Sequence, residues 1–166
     1  MKSYDERWII EFRHLVVSAG NRLALLSDAQ ASSPLGTDKW TAKETVGHLI
    51  DSAANNHQRF VRAQHVDHLD FPGYDQVDWV SAQRYNDEPW IDLVSLWRFY
   101  NLHLSHLFAV TPPEVAIQPR VKHSLDRIAF RQVEKSTPTT LEYLMRDYVE
   151  HLQNHLDQIF SFSVAP

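Results

Sequence analysis

Two histidines four residues apart, His151 and His155, stand near the C-terminus in the segment Tyr148-Val-Glu-His-Leu-Gln-Asn-His-Leu-Asp-Gln-Ile159, and a third, His48, stands in an earlier helix-forming segment. Residues i and i+4 of a helix lie about 40° apart around its axis and one turn apart along it, so both rings can face one ion. A third imidazole from another helix completes a three-nitrogen face with open positions. In that arrangement Zn²⁺ or a similar ion does chemistry rather than bracing a fold. The spacing is a weak signal by itself, because ten histidines in 166 residues produce such pairs by chance.

Composition narrows the classes. A chain of 166 residues that is 43% hydrophobic suits one domain, expected over residues 1–166. No run reaches the ~18 apolar residues of a membrane span, and Met1-Lys-Ser-Tyr-Asp-Glu-Arg7 has acid where a signal peptide is apolar. The expectation is a cytoplasmic protein without a membrane partner. The chain has no cysteine, which removes disulfides, thiolate metal sites and a cysteine nucleophile and leaves histidine, carboxylate and water as ligands. A net charge of −5 argues against nucleic acid, and the four glycines form no phosphate-binding loop.

Four amphipathic helices are needed to position the histidines. Ser3-Tyr-Asp-Glu6, Thr41-Ala-Lys-Glu44 and Thr139-Thr-Leu-Glu142 have the spacing of capping boxes, each ahead of an apolar run. The first helix is expected over residues 4–27, with Trp8, Phe12, Leu15, Leu23 and Leu26 on its stripe. The second is expected over 42–65, with Val46, Leu49, Ile50, Ala53, His57, Phe60 and Val61. The third opens at Pro89 and runs to about Val110, and the fourth carries Leu141, Leu144, Met145, Tyr148, Leu152, Leu156 and Ile159. The fold class is therefore all-α, a four-helix bundle. The connection over residues 66–88 is too long for a simple hairpin and implies a crossover between the second and third helices, with a short helical turn around Trp79 to Gln83. Its Phe71, Tyr74, Trp79 and Tyr85 suggest that it packs over the bundle. Residues 115–123 read as extended.

The segments Trp40-Thr-Ala-Lys-Glu-Thr-Val-Gly-His48-Leu-Ile-Asp51 and Thr140 to Ile159 together resemble the DinB/YfiT-like superfamily of metal-dependent enzymes. The resembling features are a tryptophan at the start of the second helix, His-Leu-x-Asp, and a C-terminal His-x-x-x-His followed by Gln-Ile. The resemblance covers most of the chain. It implies a four-helix bundle with a long crossover and one divalent ion, zinc, nickel or similar, held by His48, His151 and His155. Members with assigned activities include bacillithiol transferases and mycothiol-dependent maleylpyruvate isomerases, so a low-molecular-weight thiol is the implied co-substrate.

The residues themselves support these pieces unequally. At about 100° per residue, His48 falls roughly 160° from a stripe centred on Val46 and reads as a surface histidine on a face with Glu44, Asp51 and Asn55. His151 and His155 flank their stripe, where core-edge histidines with hydrogen-bond partners remain an alternative. The rival pairs His103 with His106 and His65 with His68 lack a third donor and read as surface; His57 reads as a buried, hydrogen-bonded core residue. Asp51, Asp147 and Glu150 are the candidates to accept the second ring N–H of a ligating imidazole. Trp79, Tyr85, Arg120 and Arg127 are the candidate substrate contacts, the arginines belonging to a basic segment that can receive the carboxylates of a small thiol. The catalytic group is expected to be a metal-bound water or thiol. Two functions follow: a metal-dependent transferase, isomerase or hydrolase acting on a small molecule, or a non-catalytic metal- or ligand-binding bundle in stress response. A homodimer is a further expectation.

Overall fold

An apolar stripe is stable only against another apolar face. The computed structural model describes residues 5–162. In chain order its helices are α1 (Arg7–Leu23), α2 (Asp28–Ala31), α3 (Ala42–Arg62), α4 (Gln76–Gln83), α5 (Trp90–Val110), α6 (Pro113–Ala116), α7 (Leu125–Ile128) and α8 (Leu141–Phe162), with a 3₁₀ turn at Tyr85–Asp87. Among the described residues there is no strand, only isolated bridges such as Arg120 with Thr139. No described helix is long and apolar enough to cross a membrane.

The four long helices form the bundle, and one aromatic ring from each shows their order. Phe12 of α1 meets Phe108 of α5 at 5.6 Å, Phe108 meets Phe60 of α3 at 5.1 Å, Phe60 meets Tyr148 of α8 at 5.7 Å, and Tyr148 returns to Phe12 at 6.3 Å. The order around the core is therefore α1, α5, α3, α8, so α1 and α3, consecutive long helices, stand diagonally opposed. Edge-on and tilted ring pairs of this kind add about 0.5–1.5 kcal/mol each beyond the area they bury.

Helix starts follow their capping chemistry. Thr41 Oγ1 accepts from Glu44 N at 3.1 Å while Glu44 Oε2 accepts from Thr41 N at 2.8 Å, the expected reciprocal box of α3. The box expected at Thr139 does not form, and a single side-chain cap one residue on replaces it. Tyr143 N donates to Thr140 Oγ1, because Thr139 is held in backbone pairing with Arg120. Ser3 lies outside the described residues, and α1 opens at Arg7 without a side-chain cap. It stops at Leu23, four residues before the expected end, because a capping box of Ser27 and Gln30 starts α2. The segment expected to be extended over 115–123 begins inside α6, where Pro113 favours a helical first turn.

The long crossover between α3 and α5 folds back against α3 through α4 and the 3₁₀ turn. Gly47 makes this approach possible: a Cβ there would stand 2.1 Å from the Tyr85 ring. The crossover is also pinned from the far side, where Ser124 Oγ accepts from Phe71 N and donates to Phe71 O, both at 2.9 Å. With α5, α8 and the crossover around it, α3 buries 14 of its 21 residues, polar ones such as His48, Asp51, Ser52, Asn56 and Arg59 among them.

Candidate metal centre

The burial of α3 decides the position of His48. It is 2% exposed, not on a solvated face, because the side of α3 opposite Val46 packs toward α8 instead of water. The i, i+4 pair on α8 meets it there. One ligand nitrogen from each of His48, His151 and His155 lies within 4.8 Å of the others, and the ring centroids are 5.1, 4.9 and 4.7 Å apart in edge-to-face pairs. His48 Nε2 and His151 Nε2 approach to 3.2 Å. A tetrahedral ion with nitrogen bonds of about 2.0–2.1 Å has a ligand-to-ligand edge of roughly 3.3 Å, so that pair already has the spacing a divalent ion requires.

The electrostatics favour the same role. Burial, with repulsion from His155, brings His48 from 6.5 to about 4, and burial, with repulsion from His155 and His48, brings His151 to about 3. Burial also lowers His155, against its hydrogen bond to Gln158. All three rings are therefore neutral at pH 7, the form in which imidazole binds a metal. His155 Nδ1 lies 3.2 Å from Gln158 Oε1. An amide oxygen only accepts, so Nδ1 carries the proton and Nε2 keeps its lone pair for the site. His48 Nδ1 is buried without a partner, and the ring rests against Trp40 at 5.2 Å. Phe130 covers His151 at 5.5 Å. The donor set fits one divalent cation.

None of the three candidate carboxylates touches an imidazole. Asp51 accepts from Gln83 Nε2 and Tyr85 OH, both at 2.7 Å, and so ties the crossover to α3. Its other oxygen is buried and unpartnered, and burial raises its pKa. Asp147 caps the backbone amides of Phe130 and Arg131 at 2.8 and 2.6 Å. Glu150 pairs with Arg131 at the surface. Among the candidate substrate contacts, Trp79 is half-exposed on α4 against Tyr74 and Tyr85 is buried on Gly47. Arg120 is buried and donates to Val115 O, while Arg127 lines the cavity beside the histidines.

That cavity, about 340 Å³, is walled by His48, Ser52, Asn56 and Arg59 of α3, by His151, Tyr148 and Asp147 of α8, and by Tyr74, Arg127 and Phe130 of the connections. Sequence reading missed Ser52, Asn56 and Arg59. Their signal was available, since steps of four, four and three from His48 trace a polar stripe along one face of a helix. Trp40 and Gln158 were marked in the sequence as features of the resemblance, but their contacts with His48 and His155, and the contact of Phe130 with His151, become visible only in three dimensions. The rival histidines are elsewhere: His65, His103 and His106 are exposed, His68 is half-buried near Phe71, and His57, only partly buried, sits 3.2 Å from Tyr100 OH through Nδ1.

Fold and site together define a four-helix bundle that gathers three imidazoles from two helices beside a cavity that two of them line. No family model matches the chain, and no curated protein matches it. Among solved structures it is similar to YfiT from Bacillus subtilis, with a TM-score of 0.75 over 98% of this chain and 90% of that one, at 17% identity. YfiT is described as a probable metal-dependent hydrolase with an unusual four-helix bundle topology. At this identity the likeness shows the fold, and it agrees with the fold implied by the resemblance to the DinB/YfiT-like superfamily.

Proposed function

We propose that the chain is a divalent-metal-dependent enzyme that hydrolyses a small molecule held in the cavity beside His48, His151 and His155. The observation that carries this reading is the convergence of three neutral imidazoles, none of them hydrogen-bonded to a carboxylate among the described residues, beside a cavity that His48 and His151 line. A divalent ion bound there supplies Lewis acidity, undiminished by anionic ligands, toward a substrate oxygen or toward the proton of water. The chain's own residues prepare the site. Gln158 fixes the tautomer of His155, Trp40 and Phe130 pack against His48 and His151, and Asp147 holds the backbone of Phe130. The structural neighbour's description as a metal-dependent hydrolase supports the same reaction class.

Transfer to a low-molecular-weight thiol is the second reading, supported by Arg127, the one member of the basic segment that lines the cavity and so can meet a thiol's carboxylate. With no cysteine in the chain, the thiol must come as a co-substrate. The test is a paired screen of protein loaded with Zn²⁺, Ni²⁺ or Mn²⁺, using small ester, amide and lactone substrates in one arm and a thiol with an electrophile in the other. Metal-dependent turnover without thiol supports hydrolysis, and turnover only with thiol replaces it with transfer. Turnover that survives complete chelation rejects both.

A further inference from the structure

The far end of the cavity holds a cation whose side-chain hydrogen bonds, among the described residues, go only to neutral acceptors. Arg59, three turns beyond His48 on the same face of α3, is 6% exposed and lines the cavity wall. Its Nη1 donates to Asn56 Oδ1 at 3.2 Å and its Nη2 to Pro72 O at 2.7 Å, both neutral acceptors. Among the described residues no carboxylate bonds to it. Asp147, the carboxylate on the same wall, has both oxygens occupied by the amides of Phe130 and Arg131. Burial lowers the pKa of Arg59, and the opposing influence comes from the Tyr74 phenol and not from an acid. A buried guanidinium is costly unless it is paired, and a fork of five donors with two committed to neutral oxygens retains capacity for a bidentate oxyanion.

The surroundings hold this arginine in place. Asn56 is buried and donates to Ser52 O, and Pro72 follows Phe71, whose backbone Ser124 clamps. Arg59 is thus held in position on a rigid helix, as a specificity contact must be. Arg127 lines the same cavity and, with only a loose 3.8 Å pairing to Asp70, adds a second positive charge nearer the opening.

We propose that Arg59 receives an anionic group of the substrate, a carboxylate or a phosphate, at the end of the cavity remote from the three histidines. This assignment rests on the proposed enzymatic reading of the cavity. The eleven-residue step from His48 to Arg59 spans about 16 Å of helix rise, and helical side chains lean toward the N-terminus, which brings the guanidinium back toward His48. The substrate class that fits is a short anion, with its oxyanion on Arg59 and its reacting group toward the histidines.

Calorimetric titration of the full chain with glutarate and with inorganic phosphate tests this, in zinc-loaded and in chelator-treated protein. Wild type should bind one or both anions in both states. Arg59→Met should weaken binding at least tenfold, and Asn56→Asp should do the same by placing a carboxylate against the guanidinium without removing it. The exposed Arg62→Gln should bind as wild type does. Tighter binding of glutarate assigns the carboxylate, and tighter binding of phosphate assigns the phosphate. Equal affinity in wild type and Asn56→Asp, or no binding of either anion to wild type, overturns the proposal. Zinc content of the same samples separates the two ideas: wild type that binds anion through Arg59 but holds no zinc contradicts the metal reading alone, and zinc-replete protein without Arg59-dependent binding contradicts this one alone.

Discussion

Two histidine clusters in this bundle have nearly the same ring geometry and different chemistry. His48 and His151 meet edge to face with centroids 5.1 Å apart and planes at 86°; His57 and His103, where α3 faces α5, meet at 5.2 Å and 85°. In the first cluster a third ring closes the set, and the nearest ligand nitrogens face each other. In the second, His57 Nδ1 lies against Tyr100 OH, His103 is exposed and His106 stands 6.5 Å further on. Ring contact and helical spacing therefore do not make a metal site. Burial lowers the pKa of His57 as well, so what sets the first cluster apart is a third ring and ligand nitrogens within 4.8 Å of one another.

The largest expected contrast between the clusters is in metal affinity. His48→Ala should weaken Zn²⁺ binding by orders of magnitude in a competition titration, with the helical circular dichroism retained because the apolar stripes supply most of the stability. His57→Ala should leave affinity within about threefold of wild type, a difference under roughly 1 kcal/mol. Equal losses in the two variants would collapse the distinction.

The clusters should also separate on acidification of the metal-free protein. His48 and His151 have folded pKa values of about 4 and about 3, below the unfolded value of 6.5. The unfolded chain therefore takes up protons first as pH falls. The stability these rings contribute is fully present above about pH 6.5 and is lost progressively toward pH 4 and below, by on the order of a few kcal/mol. Thermal midpoints between pH 7 and pH 4.5 should fall more steeply for wild type than for a His48→Ala, His151→Ala double variant. A His57→Ala variant with as flat a profile as that double variant would contradict the assignment.

Two smaller effects refine the picture. Gly47→Ala forces a methyl into the Tyr85 ring, so the crossover must shift, and chemical denaturation should show a loss of about 1–3 kcal/mol. Gln158→Ala removes the partner of His155 Nδ1 while leaving all three ligands, and should weaken Zn²⁺ about tenfold. An unchanged affinity would remove Gln158 from the account.

Most of the fold was legible in the sequence, because α1 and α8 have the 3.6-residue periodicity of helices with one wet face, Pro89 and Thr111-Pro-Pro113 bracket α5, and the box at Thr41 and Glu44 marks the start of α3 to the residue. His48 was misplaced for a physical reason. A stripe analysis assumes one apolar face and one solvated face, and α3 is enclosed by α5, α8 and the crossover, so its polar stripe through Ser52, Asn56 and Arg59 faces a cavity. The candidate contacts of the crossover and the basic segment were chosen by residue type. Tyr85 and Arg120 turn out to be buried in structural hydrogen bonds, since a long connection must satisfy its own polar groups before it can serve a ligand.

The metal content of protein purified without a histidine tag tests the central claim most directly. Wild type and a His57→Ala, His103→Ala double variant should each carry one divalent ion per chain by elemental analysis, and a His151→Ala, His155→Ala double variant should carry none. Equal metal in all three would show that the ion, wherever it sits, is not held by His48, His151 and His155.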